Sequence, residues 1–249
     1  MASVQAHYDH HLGPVYAWMA GGIEPALARG AAELEAIAQG PGAGDLAVDL
    51  GAGFGMHALP LARLGYEVVA IDACGQLLEE LRARAGEWPI TVVEDDLLRF
   101  RAHLDRQPRL VACMGDTITH LPDADAVRRL VADVADALEA GGCFVVTFRD
   151  HSVALTEERR FIPVRSDARR ILTCFLEFGE AHVTVHDILQ EWRGGEWTTR
   201  VSSYPKLRLA PDWLEGELRG RGLSVERSAG GGGMVRLVAR RPRASRAER

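Results

Sequence analysis

The sequence predicts an α/β domain built on a mostly parallel β-sheet. Between residues 45 and 149, short runs rich in β-branched residues alternate with helix-like stretches, as in consecutive β-α-β units. A glycine-rich turn directly follows the first of these runs, which is typical of a strand end that a ligand approaches. The chain has 249 residues, 47% of them hydrophobic, and this is enough to bury the core of one elaborated domain.

Five strands are predicted in this interval, connected by right-handed crossovers. The predicted strands are residues 46–50, 67–71, 90–94, 110–114 and 143–148. Two helices are predicted between them, at residues 76–85 and 124–139, and the second carries apolar residues at helical spacing. Residues 41–150 therefore form the predicted ligand-binding core of the domain.

The segments on either side of this core have different patterns. Residues 1–40 are predicted to form a helical cap across the mouth of the sheet. Within residues 151–210, the stretches 170–177, 181–192 and 197–209 alternate apolar and polar side chains between glycine turns, which predicts an antiparallel meander inserted after strand 5. Residues 211–240 are predicted to return to the core sheet through a helix and two strands. The arginine-rich residues 241–249 are predicted to form a disordered tail.

The composition restricts the partners that we expect. A formal net charge of -6 argues against a broad phosphate-binding surface, so a small molecule is expected as the partner and nucleic acid is not. No apolar run is long enough to cross a bilayer, and the first residues lack the pattern of a signal peptide. We therefore expect a cytoplasmic protein that does not bind membranes. A homo-oligomer is compatible with the sequence, which leaves the oligomeric state open.

No metal site is expected. The four cysteines are widely spaced and form no C-x-x-C pair. The histidines His7, His10 and His11 cluster near the N-terminus without companion cysteines or an H-E-x-x-H arrangement. They are interpreted as the polar face of a helix.

The glycine-rich turn is the sharpest signal for a ligand. Gly51, Gly53 and Gly55 form a G-x-G-x-G pattern at the end of the first predicted strand. Glycine permits a tight turn and lets the backbone approach a ligand without interference from a Cβ atom. The dinucleotide fingerprint has its third glycine one position later, where this chain has Met56, so the spacing disfavours a nicotinamide cofactor.

Two acidic residues follow the next two predicted strands. Asp72 stands 21 residues after Gly51, where a carboxylate can accept hydrogen bonds from both ribose hydroxyls. Asp96 comes after the third strand and can accept from an adenine amine, with Leu97 packing on the ring. The alternative is that these residues are only turn glycines and solvated acids.

With these motifs in this order, residues 45–149 resemble the class I S-adenosylmethionine-dependent methyltransferases, in particular their glycine N-methyltransferase-like small-molecule group. The resemblance implies a Rossmann-like seven-stranded sheet flanked by helices, with its last strand antiparallel. It also implies S-adenosyl-L-methionine as the cofactor and S-adenosyl-L-homocysteine as the product. The three turn glycines would surround the methionine moiety, Asp72 would bind the ribose, and Asp96 and Leu97 would contact the adenine.

Three further residues are predicted beside the cofactor. Met114 opens the loop after the fourth strand, at the edge of the sheet where nucleotides bind. Tyr16 and Trp18 belong to the predicted cap and can close over the cofactor, as can Tyr8. For Tyr16 and Trp18 the alternative is packing in a core, which is the usual role of aromatic residues at helical spacing.

The loop after the fourth strand contains the predicted catalytic residues. Residues 114–122 resemble a loop of the glycine N-methyltransferase-like group that reads Leu-Gly-Asn-Ser followed by His-Leu, with Asp116 in place of the asparagine. An amine must be neutral when it attacks, and Asp116 or His120 can accept or relay its proton. The alternative for His120 is a polar surface residue.

The substrate-binding residues are predicted from two further resemblances. Arg149 stands where that group has Arg-Asn-Tyr-Asp, which implies a bidentate clamp on a substrate carboxylate and a place in the catalytic site. An ion pair with Asp150 or Asp116 is the alternative. Tyr204 and Lys206 lie in a stretch that resembles the Tyr-Tyr-Pro segment of the substrate lid, although an alternating strand also exposes such residues.

The sequence as a whole predicts a methyltransferase that transfers the methyl group of S-adenosylmethionine to the nitrogen of a small amine or amino acid. Transfer from a sulfonium is an in-line displacement, so the protein must align the nucleophile and exclude water. The alternatives are a lyase or cyclase that consumes S-adenosylmethionine on the same fold, an O-, S- or C-methyltransferase, a methyltransferase of RNA or protein, and a non-catalytic cofactor-binding protein.

Overall fold

Two β-sheets organise the computed structural model, which describes residues 3–35, 37, 40–42 and 44–243. Eleven strands are described: Leu46–Leu50 (β1), Glu67–Asp72 (β2), Ile90–Glu94 (β3), Leu110–Cys113 (β4), Cys143–Phe148 (β5), Phe161–Ser166 (β6), Arg170–Phe178 (β7), His182–Arg193 (β8), Glu196–Leu207 (β9), Ser224–Ala229 (β10) and Val235–Arg240 (β11). The α-helices are Val4–His7 (α1), Tyr16–Met19 (α2), Ile23–Glu35 (α3), Ala58–Arg63 (α4), Gly75–Ala85 (α5), Ala124–Ala137 (α6) and Pro211–Gly220 (α7).

The larger sheet has seven strands in the order β10-β11-β5-β4-β1-β2-β3. The strands β1 to β5 are mutually parallel, whereas β11 runs antiparallel to both β5 and β10. This arrangement confirms the Rossmann-like seven-stranded sheet and its antiparallel last strand. The strand order reverses between β1 and β4, and in open α/β sheets ligands bind at the carboxyl ends of the strands at such a point.

The core lies on both faces of this sheet. One face packs against α6 and α7, and the other packs against α3, α4 and α5. All residues of β1, β4 and β5 are buried, as expected for strands covered by helices on both faces. The predicted helix and strand boundaries in this core agree with the structure to within one or two residues.

The predicted meander is a four-stranded antiparallel sheet in the order β6-β7-β8-β9. The sequence predicted its last three strands and missed β6. That strand contains Pro163, pairs only with β7 among the described residues, and shifts register between Pro163 and Arg165. An irregular edge strand buries no alternating face, so it leaves no periodic pattern in the sequence.

The two ends of the chain agree with the predictions in part. The described residues of the cap are helical from Val4 to Glu35 apart from a break near Gly21, while residues 1, 2, 36, 38, 39 and 43 lie outside the described part. The tail was predicted to be disordered from residue 241. Arg241 instead pairs its backbone with Gly142 and donates to the carbonyl of Leu138, because β11 continues beside β5. Residues 244–249 of the predicted tail lie outside the described residues.

A search of the described helices for a membrane span found none with the length and apolar character that crossing a bilayer requires.

Candidate active site

A cavity of about 520 Å³ opens at the carboxyl ends of β1, β2, β3 and β4. Four segments that follow these strands line it, and the cap covers it with α1 and the residues after it. The residues that line it include Val4, Gln5, Tyr8, Tyr16, Gly51, Gly53, His57, Asp72, Glu94, Asp95, Asp96, Leu97, Leu98, Met114, Gly115, Thr117, His120, Leu121 and Pro122. The predicted motifs, which come one after another along the chain, therefore form one continuous surface in the structure.

The glycine turn after β1 forms one wall of the cavity. Gly51 and Gly53 have φ angles of 77° and 51°, in the left-handed region that favours glycine. A Cβ atom on Gly51 would lie 2.4 Å from Cγ2 of Thr117, so this glycine lets the turn contact the loop after β4. Gly55 does not line the cavity. A Cβ atom there would lie 2.4 Å from Cδ1 of Leu81, so Gly55 serves the packing of α5 instead.

Asp72 closes β2 and presents its carboxylate to the cavity. Its Oδ2 accepts the backbone N–H of Gly53 at 2.8 Å, and its Oδ1 accepts that of Cys74 at 2.8 Å. Burial raises the pKa of Asp72 above its ordinary value, although these two N–H groups act in the opposite direction. Each oxygen keeps a lone pair for a ligand. The carboxylate thus links the ends of β1 and β2 on the floor of the cavity.

The segment after β3 forms the opposite wall. Asp96 and Leu97 both line the cavity, as the sequence predicted, but Asp96 is exposed and its Oδ1 accepts the N–H of Leu98 at 2.9 Å. This contact caps the short 3-10 helix Leu97–His103. Glu94 and Asp95 also line the cavity and were not predicted. Their signal was present in the sequence, since both belong to the acidic run at the end of β3.

The three other residues predicted beside the cofactor separate into two groups. Met114 and Tyr16 line the cavity, and the ring of Tyr16 meets Phe54 edge to face at 5.8 Å. Trp18 does not line it. Its indole N–H donates to Asp167 in the turn between β6 and β7, and two arginines of that region lie over the ring. Helical geometry turns Trp18 away from the side that Tyr16 faces.

The loop after β4 contains a buried ion pair. Asp116 has a φ angle of 78°, is 4% exposed, and accepts the N–H of Arg149 at 2.9 Å and the ammonium of Lys206. Burial on its own raises the pKa of Asp116, but Lys206 and the N–H of Arg149 together hold it below its ordinary value. Neither Asp116 nor Lys206 lines the cavity. The ion pair of Asp116 and Lys206 therefore holds the loop after β4 from outside the cavity.

His120 faces the cavity from the same loop. Its Nε2 lies 3.3 Å from the hydroxyl oxygen of Tyr8, and its Nδ1 is buried with no hydrogen-bond partner among the described residues. Burial first, and then the charge of Lys206, lower the pKa of His120 to about 3. The imidazole is therefore neutral at ordinary pH, and one of its nitrogens is available to a ligand.

Arg149 and Tyr204 lie outside the cavity. The guanidinium of Arg149 is exposed and donates to the carbonyl of Gly232 at 3.0 Å, and among the described residues it forms no ion pair with Asp150 or Asp116. Its clamp on a substrate carboxylate stays a prediction. The backbone N–H of Arg149 donates to Asp116, while its side chain points toward the turn at residues 230–233. Tyr204 is buried and stacks on His7 with ring centroids 4.1 Å apart.

His7 joins the cap to the antiparallel sheet. It is fully buried, with Nε2 2.9 Å from Oδ2 of Asp187 on β8 and Nδ1 2.9 Å from the hydroxyl of Ser202 on β9. Although burial raises the pKa of Asp187, the hydrogen bonds from His7 and Cys174 bring it below its ordinary value. His11 is also buried, so the interpretation of these histidines as a polar helix face is correct only for the exposed His10. The tertiary contact with Asp187 could not be predicted from the sequence.

The link between His7 and Asp187 yields a testable prediction about the cap. His7→Ala removes both hydrogen bonds that hold α1 on the sheet and should weaken S-adenosylmethionine binding by about 10-fold, because Val4, Gln5 and Tyr8 line the cavity. Titration calorimetry measures the affinity, and limited proteolysis reports the opening of the cap. His10→Ala on the exposed side is the matched control. Unchanged affinity and proteolysis in His7→Ala would contradict this role.

Two buried histidines predict how stability depends on pH. Burial lowers the pKa of His120 to about 3 and that of His151 to about 4. Below the unfolded value of about 6.5, the unfolded chain binds protons that the folded chain does not, so the free energy of unfolding falls as pH falls. The expected slope is up to about 1.4 kcal/mol per pH unit for each histidine between pH about 6 and 4.

Urea unfolding between pH 7 and pH about 4 measures this slope. His151→Gln should make it shallower, whereas His10→Gln on the exposed surface is the matched control and should leave it unchanged. A slope that is the same in all three proteins would show that His151 does not stay neutral in the fold.

Among the described residues there is no group of three or more histidine, cysteine, aspartate or glutamate residues placed to bind a metal ion.

Comparisons with known proteins bear on this site. Residues 47–142 match the family model described as a methyltransferase domain. A glycine/sarcosine N-methyltransferase from Aphanothece halophytica is 23% identical over 112 residues, which cover 44% of this chain and 42% of that protein. The chain thus matches less than half the length of this relative.

Solved structures resemble the chain over more of its length. The CcbJ methyltransferase from Streptomyces caelestis has a TM-score of 0.77 at 21% identity, covering 98% of this chain and 100% of that one. The glycopeptide N-methyltransferase MtfA, in complex with S-adenosyl-L-homocysteine, has a TM-score of 0.58 at 25% identity, covering 85% of this chain and 87% of that one. The first likeness concerns the fold, and the second extends it to a protein that holds the product of the cofactor.

Proposed function

We propose that the protein methylates the nitrogen of a small amine. This proposal proceeds from its core domain and its fold, which are those of a class I S-adenosylmethionine-dependent methyltransferase. The observation that carries this proposal is one continuous cavity that joins the glycine turn and Asp72 to the loop containing His120. Nitrogen as the acceptor atom is supported by two relatives, because one is named as a glycine/sarcosine and the other as a glycopeptide N-methyltransferase.

The residues at one end of the cavity fit the cofactor. Asp72 keeps lone pairs for the ribose hydroxyls, and Leu97 and Leu98 offer apolar surface for the adenine ring. Gly51 and Gly53 allow the backbone to approach the methionine moiety, beside Met114 and Tyr16. When bound, S-adenosylmethionine supplies an electrophilic methyl group. Gly55 and Trp18 have no part in this proposed binding.

His120 is proposed to hold the acceptor amine. His120 Nε2 and the Tyr8 hydroxyl oxygen lie 3.3 Å apart between two residues that line the cavity, and this pair is proposed to accept an N–H of the amine, which leaves the amine lone pair available for attack. A histidine with a pKa near 3 is a weak base at neutral pH. We therefore infer that His120 orients an amine that arrives neutral, and that it does not remove the proton.

The remaining residues around the acceptor position it and exclude water. Asp116 and Lys206 hold the loop after β4 in place from outside the cavity, so both are positioning residues in this proposal. Val4 and Tyr8 of the cap and Leu121 of the loop close the cavity over the reacting groups. Displacement at a methyl group depends mainly on such alignment and on the absence of competing water.

The experiment that tests this function uses S-adenosylmethionine with a deuterated methyl group. The protein is incubated with this cofactor and a small-metabolite extract, and products are identified by mass spectrometry, with Asp72→Ala as the control. Adenosylhomocysteine together with a labelled amine is the expected result. Release of methylthioadenosine would instead indicate a lyase or cyclase, and a bound cofactor that never turns over would indicate a non-catalytic protein.

A further inference from the structure

We propose that the acceptor is an amine without a carboxylate, and that the site rejects α-amino acids and other anionic amines. This inference rests on the proposed methyltransferase function and specifies its substrate class. It departs from the carboxylate clamp predicted for Arg149 from the sequence. Three features of the cavity and of the residues around it carry it.

The first feature is the charge of the lining. Four carboxylates line the cavity and, among the described residues, no arginine or lysine does. The carboxylates are Asp72, Glu94, Asp95 and Asp96. A concave surface lined by one sign of charge repels ligands of the same sign and attracts ligands of the opposite sign. The cavity is therefore suited to a neutral or cationic acceptor.

The second feature is that the side chains of Lys206 and Arg149 are directed to other partners. Lys206, the single lysine of the sequence, is bound to the buried carboxylate of Asp116, and its side chain is 12% exposed. Arg149 faces away and donates to the carbonyl of Gly232 at 3.0 Å. Redirecting Lys206 to a substrate would leave Asp116 buried without its partner, which is unfavourable. Lys206 is committed to Asp116 and Arg149 lies outside the cavity lining, so neither cation is placed to bind an anionic acceptor there.

The third feature is that the polar donors of the loop after β4 are also occupied. The N–H of Gly115 donates to the hydroxyl of Thr147 at 2.8 Å, and the N–H of Asp116 donates to the carbonyl of Thr147 at 3.0 Å. The hydroxyl of Thr117 donates to the carbonyl of Met114 at 2.8 Å. A carboxylate placed against this loop would lose its water and gain few hydrogen bonds, which is costly.

The cofactor carries a carboxylate of its own, but the charge beside that carboxylate differs from the charge beside the carboxylate of an amino acid acceptor. The amino acid end of S-adenosylmethionine keeps an ammonium beside its carboxylate throughout the reaction. An amino acid acceptor must lose its ammonium proton before the nitrogen can attack. Its carboxylate then has no cation to balance it, because no described arginine or lysine lines the cavity, so the penalty falls on the reacting form of the acceptor.

The test compares acceptors with and without a carboxylate, and kcat/KM is expressed per unprotonated amine, because an ester group lowers the pKa of the neighbouring amine. Ethylamine, alanine and alanine methyl ester form one matched set, and phenethylamine, phenylalanine and phenylalanine methyl ester form another. The esters have the size of the acids without the charge. With labelled cofactor, kcat/KM for each free acid should be at least about 30-fold lower than for its ester. The labelled product from a metabolite extract should contain no carboxylate. Arg149→Gln should change these ratios by less than about 2-fold.

The outcomes separate this inference from the function on which it rests. A labelled product with a carboxylate, acids used as well as esters, or a selective loss of acid turnover in Arg149→Gln would overturn the inference and leave N-methylation intact. No labelled small molecule from either the panel or the extract would overturn the proposed function, and the inference would fail with it. Preference for the esters and amines supports both.

Discussion

Asp72→Ala is expected to weaken S-adenosylmethionine binding by at least about 100-fold, which corresponds to roughly 3 kcal/mol. The substitution removes the carboxylate that accepts the N–H groups of Gly53 and Cys74, and with it the proposed acceptor for the ribose hydroxyls. Two donors of the floor then lose their partner. Since these donors belong to the segments after β1 and β2, the loss also loosens the wall of the cavity.

Titration calorimetry measures the affinity of Asp72→Ala, and circular dichroism checks that the fold is retained. Asp105→Ala, which removes an exposed carboxylate outside the cavity, is the matched control and should bind as the unmodified protein does. Asp96→Ala separates the role of Asp96 as a helix cap from its predicted contact with the adenine. Loss of the cap alone costs about 1 kcal/mol of stability and leaves the affinity nearly unchanged. Binding by Asp72→Ala within 3-fold of the unmodified protein, roughly 0.65 kcal/mol, would contradict the proposed site.

Lys206→Met is expected to lower the free energy of unfolding by about 3 to 5 kcal/mol. The side chains of Lys206 and Asp116 are 12% and 5% exposed, so the substitution leaves a buried carboxylate whose remaining partner is the N–H of Arg149. The double variant Asp116→Asn/Lys206→Met should recover much of the loss, because no unpaired charge remains. Asparagine also tolerates the left-handed backbone of Asp116, where φ is 78°.

Urea unfolding of the two single variants and the double variant gives the coupling energy of the pair. Arg82→Met is the matched control, since Arg82 and Glu79 form an exposed pair whose side chains are 38% and 72% exposed. An exposed pair contributes about 0 to 1 kcal/mol. A loss of that size in Lys206→Met would show that the ion pair behind the loop does not stabilise it. In the unmodified protein, amine-reactive labelling mapped to Lys206 gives a second readout, because this single lysine should react only after unfolding.

Parts of the candidate site could be predicted because parallel strands end at the same edge of a sheet. Gly51, Gly53, Asp72, Met114 and His120 each lie at the end of a predicted strand or in the segment that follows it, and the structure brings all of them to one cavity. Their roles toward cofactor and substrate stay predictions until the variants are measured. Glu94 and Asp95 were within reach of the same reasoning, since they end β3.

Other parts of the site could not be predicted, because they depend on where a side chain points or on contacts between distant segments. Arg149 follows β5 as expected, yet its guanidinium leaves the cavity while its backbone N–H binds Asp116. Lys206 reaches Asp116 across 90 residues of sequence. A motif places a residue at a strand end, but local packing selects the direction of its side chain.

By itself, the sequence determined the α/β class, the five core strands and the edge of the sheet at which the cavity opens. Burial and backbone geometry act over a few residues there, and they leave periodic patterns and glycine positions in the chain. The tertiary structure alone decided that His7 is buried against Asp187, that the cation of Lys206 is paired, and that no described arginine or lysine lines the cavity. These features arise when segments far apart in sequence exclude water from shared charged groups, and the strength of such contacts is set by burial in the folded chain.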